Sequence, residues 1–325
     1  GVLSLIAVYR IALKFTSYKL ALIAALIFYS NLVVGWESIS AYVDLARTFF
    51  ETIALWGFLN WIEKKDNKWL ICSALMIGFA LGTKLLALES LIIFLLIQVY
   101  MYTCKKIRLS DLVKNISIFI VIVIMISLPW FLFSYFNTGN FFYPFLSKNV
   151  DTGVAFVLPQ ISNLITDFLN LFLFSPDPIS PIYLILLPIL IVLFKKSKFE
   201  FKILYIYSIF ALLIWYITPK IGGGRFILPF LPVFSILSVY PFMILKEKKI
   251  QYLLTLLVLI VSLFSIGYRL IANFKFVPVI LGKESKEKFL TNNLNFSFGD
   301  FYDTDNYFKS HIKNTDKVLL YGFHN

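Results

Sequence analysis

Residues 35–61 read GWESISAYVDLARTFFETIALWGFLNW. The second half is an apolar, helix-forming run with the character of a membrane span, yet Glu37, Asp44, Arg47 and Glu51 stand at its head. Asp44 and Arg47 are three residues apart and Arg47 and Glu51 four apart, spacings that put side chains on one face of a helix. Charges near or inside a bilayer are costly unless they pair or face a wet cavity. Two readings stay open at this point. The charges form a salt-bridged packing triad, or Asp44 lines a polar site at the outer mouth of a helix bundle.

The surrounding composition sets the class. The chain has 325 residues, 59% hydrophobic and 18% aromatic, with mean hydropathy +0.82, against about 45–50% apolar for soluble domains. The apolar runs have helix length, so the expected fold is an all-α polytopic transmembrane helix bundle rather than a β-barrel. Ten spans are expected, at 1–13, 17–34, 42–62, 69–83, 85–103, 114–135, 181–194, 202–218, 226–245 and 250–270. Gly1 opens inside an apolar run without a basic leader or cleavage site, so it reads as a truncated helix rather than a signal peptide.

Basic residues orient the bundle. One set of inter-span loops holds 17 Lys and Arg residues, from Arg10 to Lys249; the alternate loops hold Lys84, Lys148, Lys220 and Arg225. The first set is therefore expected in the cytoplasm. The net charge of +12 is largely explained by this asymmetry, and a nucleic-acid partner is not expected. Asp44, Lys84, Lys220 and Arg225, the loop 137–181 and the tail then lie outside, in a multi-pass protein of the plasma membrane. The inner loops carry no P-loop and no dinucleotide fingerprint. Cys72 and Cys104 fit no metal or disulfide pattern, and His311 and His324 make no histidine metal site in the bundle. No cofactor is called for with certainty; a divalent metal ion stays open, since acidic residues lie near the site without a ligand spacing.

Two further segments have their own readings. The loop 137–181 is long for a bundle connection, and its later part, AFVLPQISNLITDFLNLFLF, reads as an interfacial or re-entrant helix. The bundle is expected over 1–271. From 272 to 325 the composition turns polar, reading as the start of an extracytoplasmic α/β domain, with an amphipathic helix at 303–312 and a strand at 317–322. The chain stops where a crossover helix is expected, so both ends read as truncated.

Chemistry is expected from the outer cations. Lys84 lies in the tight turn LGTKLLAL, and Arg225 follows three glycines in TPKIGGGRFILPFLP, with Lys220 close by. Glycines allow a sharp turn and close backbone approach, and fixed cations at a membrane boundary suit a phosphate. The plainer reading of each cation is snorkelling toward lipid phosphates. Glu89 stands near enough to pair with Lys84 or with Arg47. A carboxylate, phosphate-binding cations and a lipid-facing groove together point to group transfer from a lipid phosphate.

On these residues the chain resembles the GT-C class of polytopic glycosyltransferases, in the branch of protein O-mannosyltransferases and aminoarabinose transferases (the glycosyltransferase 39-related family). The matching stretches are GVLSLIAVYRIALKFTSYKLALIAALIF, SISAYVDLARTFFETIALWGF, MIGFALGTKLLALESLIIF, LPWFLFSYFNTGNFFYPF, GGGRFILPFLPVFSIL and IKNTDKVLLYG, in family order. The resemblance implies a polyprenyl-phosphate sugar donor, a lipid, glycan or protein acceptor, and inverting transfer on the outer face. It places the catalytic carboxylate in a first outer loop that would precede Gly1, so the general base is unassigned and this stretch is expected to be inactive alone. It makes Asp44 the second acidic position, near the site, and Lys84 and Arg225 donor-phosphate contacts. A transporter or flippase of lipid-linked saccharides and an O-antigen polymerase or ligase are the alternatives. The polar residues cluster at one face and no internal repeat is visible, against the first; 137–181 holds no arginine, against the second.

Overall fold

The computed structural model describes residues 1–40, 42–143, 161–174, 178–193, 199–218, 223–245, 247–294 and 307–317. Its regular structure is helical, with no strand among the described residues. The chain divides into two compact units, Gly1–Ile266 and Gly267–Asn325.

The first unit begins with α1 (Val2–Ala12), α2 (Tyr18–Tyr29), α3 (Leu32–Glu37) and α4 (Asp44–Lys64). It continues with α5 (Asn67–Thr83), α6 (Leu88–Thr103) and α7 (Leu109–Thr138). After these come α8 (Leu164–Leu173), α9 (Ile182–Leu193), α10 (Phe199–Ile217), α11 (Leu231–Ser238) and α12 (Tyr240–Ile244). The helix α13 (Lys248–Asn273) leaves the first unit at its C-terminal end. Helices occupy the expected apolar runs, but they differ in detail. The run 226–245 is broken into a 3₁₀ turn, α11 and α12, because Pro229, Pro232 and Pro241 each remove a donor and fix φ. The run 17–34 breaks at Ser30 and Asn31.

Four segments are each long and apolar enough to cross a membrane: Leu85–Thr103, Leu109–Thr138, Phe199–Ile217 and Lys248–Ile280. Only 17% of the apolar window in Leu109–Thr138 and 11% of that in Lys248–Ile280 is buried. Apolar helices so open to their surroundings need a hydrocarbon medium, so this is a helical membrane protein. Helix α4 is long enough at 21 residues, but its first two turns carry Asp44, Arg47 and Glu51. Helix α8 has 10 residues, about 15 Å of rise, half of the hydrocarbon thickness. It buries Leu171 and Phe172, leaves Ile165 and Phe174 exposed, and sets Phe168 against Trp215 and Tyr216 of α10.

The core forms around α4. It packs antiparallel against α5, and α5 against α7, while α1 and the 3₁₀ turn Leu228–Phe230 also pack on α4. Small residues set these distances. A Cβ on Gly57 would stand 3.1 Å from the Trp69 carbonyl oxygen and 3.2 Å from the Ser73 nitrogen, so α4 and α5 touch backbone to backbone there. A Cβ on Gly78 would meet the Ile126 side chain at 2.6 Å, fixing α5 against α7. Buried polar groups then tie distant elements together. Asn31 donates to Tyr183 Oη at 2.9 Å and accepts from the Ser180 nitrogen at 2.7 Å; the Tyr183 hydroxyl also meets Ser235 Oγ at 2.9 Å. The N-terminal side of α9 is thereby fixed to α2 and α11. Ser262 and Ser265 of α13 donate to Ser30.

In the second unit, α14 (Val277–Ile280), α15 (Lys286–Leu294) and α16 (Tyr307–His311) are short helices. Phe276 and Phe289 pack ring to ring at 5.2 Å. The helix expected at 303–312 is present in part as α16, and the strand expected at 317–322 lies outside the described residues apart from Lys317.

Gly78→Val inserts three carbons where none fits, and is expected to destabilise the bundle by about 1–3 kcal/mol. Gly82→Val at the end of the same helix, where a Cβ meets nothing within 4 Å, is expected to change stability far less. Thermal melting of the two purified variants in detergent checks the contrast.

Candidate functional site

Asp44 opens α4, where a carboxylate interacts favourably with the positive end of the helix dipole. Lys84 is the residue at which α5 stops. Its backbone is extended, and a 3₁₀ turn, Leu85–Ala87, leads into α6. Because α4 and α5 are antiparallel, the start of one and the end of the other share one end of the bundle. Arg225 closes the 3₁₀ turn Gly223–Arg225, whose first residue has φ +54°, a conformation that glycine adopts without strain. These three turns bring Asp44, Lys84 and Arg225 together from positions far apart in sequence.

The contacts are ionic. Lys84 Nζ lies 2.5 Å from Asp44 Oδ1, and Arg225 Nε lies 3.7 Å from Asp44 Oδ2. Arg225 Nε is also 3.8 Å from Glu37 Oε1 at the end of α3. The Arg225 guanidinium stands 4.5 Å from the centre of the Tyr42 ring, and Lys84 Nζ 5.2 Å from that of Phe226. The two signs are placed differently. The Asp44 and Glu37 side chains are 2% and 0% exposed, whereas those of Lys84 and Arg225 are 22% and 24% exposed. Buried carboxylates form the floor, and cations held on them by charge-assisted contacts keep part of their surface open to an incoming anion.

Arg47 belongs to a different cluster. Its Nε donates to Glu51 Oε1 at 2.6 Å and its Nη2 to Glu89 Oε2 at 3.0 Å, while Ser90 Oγ donates to Glu51 Oε2 at 2.5 Å. Arg47 is fully buried. The possible triad therefore divides. Arg47 and Glu51 are a packing unit completed by Glu89 from α6, and Asp44 turns to Lys84 and Arg225 at the mouth. Glu89 pairs with Arg47. Lys220 lies outside the described residues.

Glu37, Tyr42 and Phe226 join the site beyond the residues expected from the sequence. Glu37 had a signal, as an acidic residue in the same charge-poor segment as Asp44. Tyr42 and Phe226 resemble ordinary boundary aromatics, and only the fold sets them beside the cations. Among the described residues, no group of three or more His, Cys, Asp or Glu side chains is placed to hold a metal ion.

No family model and no curated protein matches the chain. Two solved structures do, both of ArnT from Cupriavidus metallidurans. The form bound to undecaprenyl phosphate aligns with TM-score 0.59 and 15% identity, covering 89% of this chain and 51% of that one. The apo form aligns with TM-score 0.56 and 14% identity, over 89% and 50%. The chain spans about half the length of these structures and shares their fold. The resemblance to the GT-C glycosyltransferases drawn from the residues is borne out at that level.

The two clusters predict opposite phenotypes. Arg47→Ala strands two buried carboxylates, with an expected loss of about 3–5 kcal/mol in stability. Lys84→Gln and Arg225→Gln each leave buried Asp44 with its other cation, and are expected to cost less, about 1–2 kcal/mol each. Detergent melting curves of the three variants, read side by side, check this ordering.

Proposed function

We propose that this chain is part of a membrane glycosyltransferase that takes a sugar from a polyprenyl-phosphate-linked donor and transfers it on the outer face of the membrane. The observation that carries the reading is the pair of half-open cations, Lys84 and Arg225, held over buried Asp44 at one end of the bundle. They sit in a fold shared with a protein solved with undecaprenyl phosphate bound.

In this reading Lys84 and Arg225 grip the donor phosphate, and Asp44 and Glu37 hold the two cations in place. The acceptor oxygen attacks the anomeric carbon from the side opposite the phosphate. The carbon–oxygen bond to the phosphate breaks, its electron pair leaves with the phosphate, and the configuration inverts. Negative charge grows on the phosphate as the bond breaks, and positioned cations in a poorly hydrated site stabilise it. The acceptor proton goes to a carboxylate other than Asp44, whose oxygens are engaged by Lys84 and Arg225. Lys220 stays in the proposal as a further cation near the donor, on its place in the sequence alone.

The ten-span arrangement belongs to the same reading. The basic loops face the cytoplasm, and the site end, the segment 137–181 and the tail after residue 271 face outward. Helix α8 then lies along the outer leaflet. Its exposed Ile165, Leu169 and Leu173 point to lipid contact rather than to a further crossing.

Purified protein in neutral nanodiscs, titrated with undecaprenyl phosphate, tests the assignment. Lys84→Gln and Arg225→Gln are each expected to weaken binding by about tenfold to a hundredfold, the usual contribution of a hydrogen bond to a charged group. Arg225→Lys keeps the charge but loses the fork, and is expected to recover only part. Unchanged affinity in both Gln variants would remove the phosphate-binding role. In the full-length protein the same substitutions are expected to lower sugar transfer by about 10²–10³-fold.

A further inference from the structure

At the opposite end of α4, about 31 Å from Asp44 for its 21 residues, lies a pocket of about 810 Å³. Four helix ends meet there: the C-termini of α4 and α6 and the N-termini of α5 and α7. Lys65, Lys105, Lys106, Arg108 and Lys114 line it, opposed by a single carboxylate, Asp111. None of the five cations makes an ion pair among the described residues, and neither does Asp111. The apolar wall includes Trp61, which is buried.

Part of this charge has an ordinary explanation. Lys65 and Lys105 follow the C-termini of α4 and α6, where a cation suits the negative end of the dipole. Lys106 rests over the Phe199 ring at 5.1 Å. Arg108 and Lys114, exposed members of the basic loops that orient the bundle, have neither a helix C-terminus nor an aromatic ring as partner. Arg108 is the N-cap of α7, with no side-chain capping bond, and Lys114 sits in the second turn, so both stand at the positive end of a 30-residue helix. Asp111 in the first turn is one anion against these two cations, and an uncapped helix start is itself suited to bind a further one. Lys65 and Lys105 are also the non-glycine residues with positive φ, 56° and 54°, among the described residues. At both positions glycine is the easier choice for the backbone, and the chain spends that preference on a lysine facing the pocket.

The geometry points to a binding site for the phosphate of an anionic phospholipid, gripped by Arg108 and Lys114 with Lys106 alongside. The lipid source is favoured over a free phosphate by position. The pocket lies at the ends of Leu85–Thr103 and Leu109–Thr138, two segments with the length and composition of membrane spans, and therefore at headgroup level. The inference rests on the membrane reading and not on the transfer reaction.

The test uses the whole chain. Reconstitution into phosphatidylcholine nanodiscs comes first, and failure to insert would overturn the membrane reading itself. Phosphatidylglycerol and phosphatidylcholine are then titrated into the detergent-purified protein, and bound lipid is counted by native mass spectrometry. Two variants remove equal charge: Arg108→Gln with Lys114→Gln in the pocket, and Lys248→Gln with Lys249→Gln at the head of α13. The pocket pair is expected to lose at least about tenfold of phosphatidylglycerol affinity and the α13 pair less than about twofold. Melting in neutral lipid confirms that both are folded. Equal losses would reduce the effect to diffuse surface charge and overturn the site. Pocket-dependent binding of inorganic pyrophosphate without phosphatidylglycerol binding would overturn the lipid assignment.

Discussion

Everything at the mouth of this bundle depends on one requirement: a carboxylate removed from water must be met by a cation. The Asp44 side chain is 2% exposed, at the head of a helix that also buries Arg47 and Glu51 before its apolar length. Lys84 and Arg225 meet it, one from the end of α5 and one from a glycine-led turn. The pairing locates α4 against α5 along their axes and locates the start of the α11 region over both. It also leaves the cations as the accessible members of the site. Had the exposures been reversed, the same residues would have made an acidic mouth, suited to cations rather than to phosphate.

The second buried cluster does different work. Arg47, Glu51, Glu89 and Ser90 join α4 to α6 inside the bundle, with the arginine fully buried. A buried network with two carboxylates on one guanidinium is a poor source of net stability, since the desolvation of three ions offsets the attraction between them. It does fix the rotation of α4, because a turn of the helix would leave those ions unpaired. The rotation sets where Asp44 points, so the inner network positions the outer one.

Much of the fold was legible in the sequence, since apolar runs of helix length leave few alternatives in a membrane. The breaks at Asn31 and at Pro229, Pro232 and Pro241 were legible as residue types but not as interruptions, because a hydropathy window averages across them. For the site, Asp44, Lys84 and Arg225 were readable as charges in a charge-poor end. The partition of the 44–51 charges was not. Helical spacing allows Arg47 to reach Asp44 or Glu51, and the choice was made by Glu89, which arrives from another helix. Tyr42 and Phe226 were invisible for the same reason, since boundary aromatics carry no mark of which one will lie over a cation.

The order in which the site's parts occur along the chain has a consequence for biosynthesis. Glu37 and Asp44 leave the ribosome first, and Lys84 follows with the hairpin of α4 and α5. Arg225 comes only after α10. During the interval Asp44 is satisfied by a local partner within one hairpin, while the Arg225 contact to Glu37 is still to be made. The acidic end of the nascent bundle therefore gains its second cation only when the turn Gly223–Arg225 is made. Arrival of Arg225 completes the ionic contacts at the mouth while α11, α12 and α13 are still to follow.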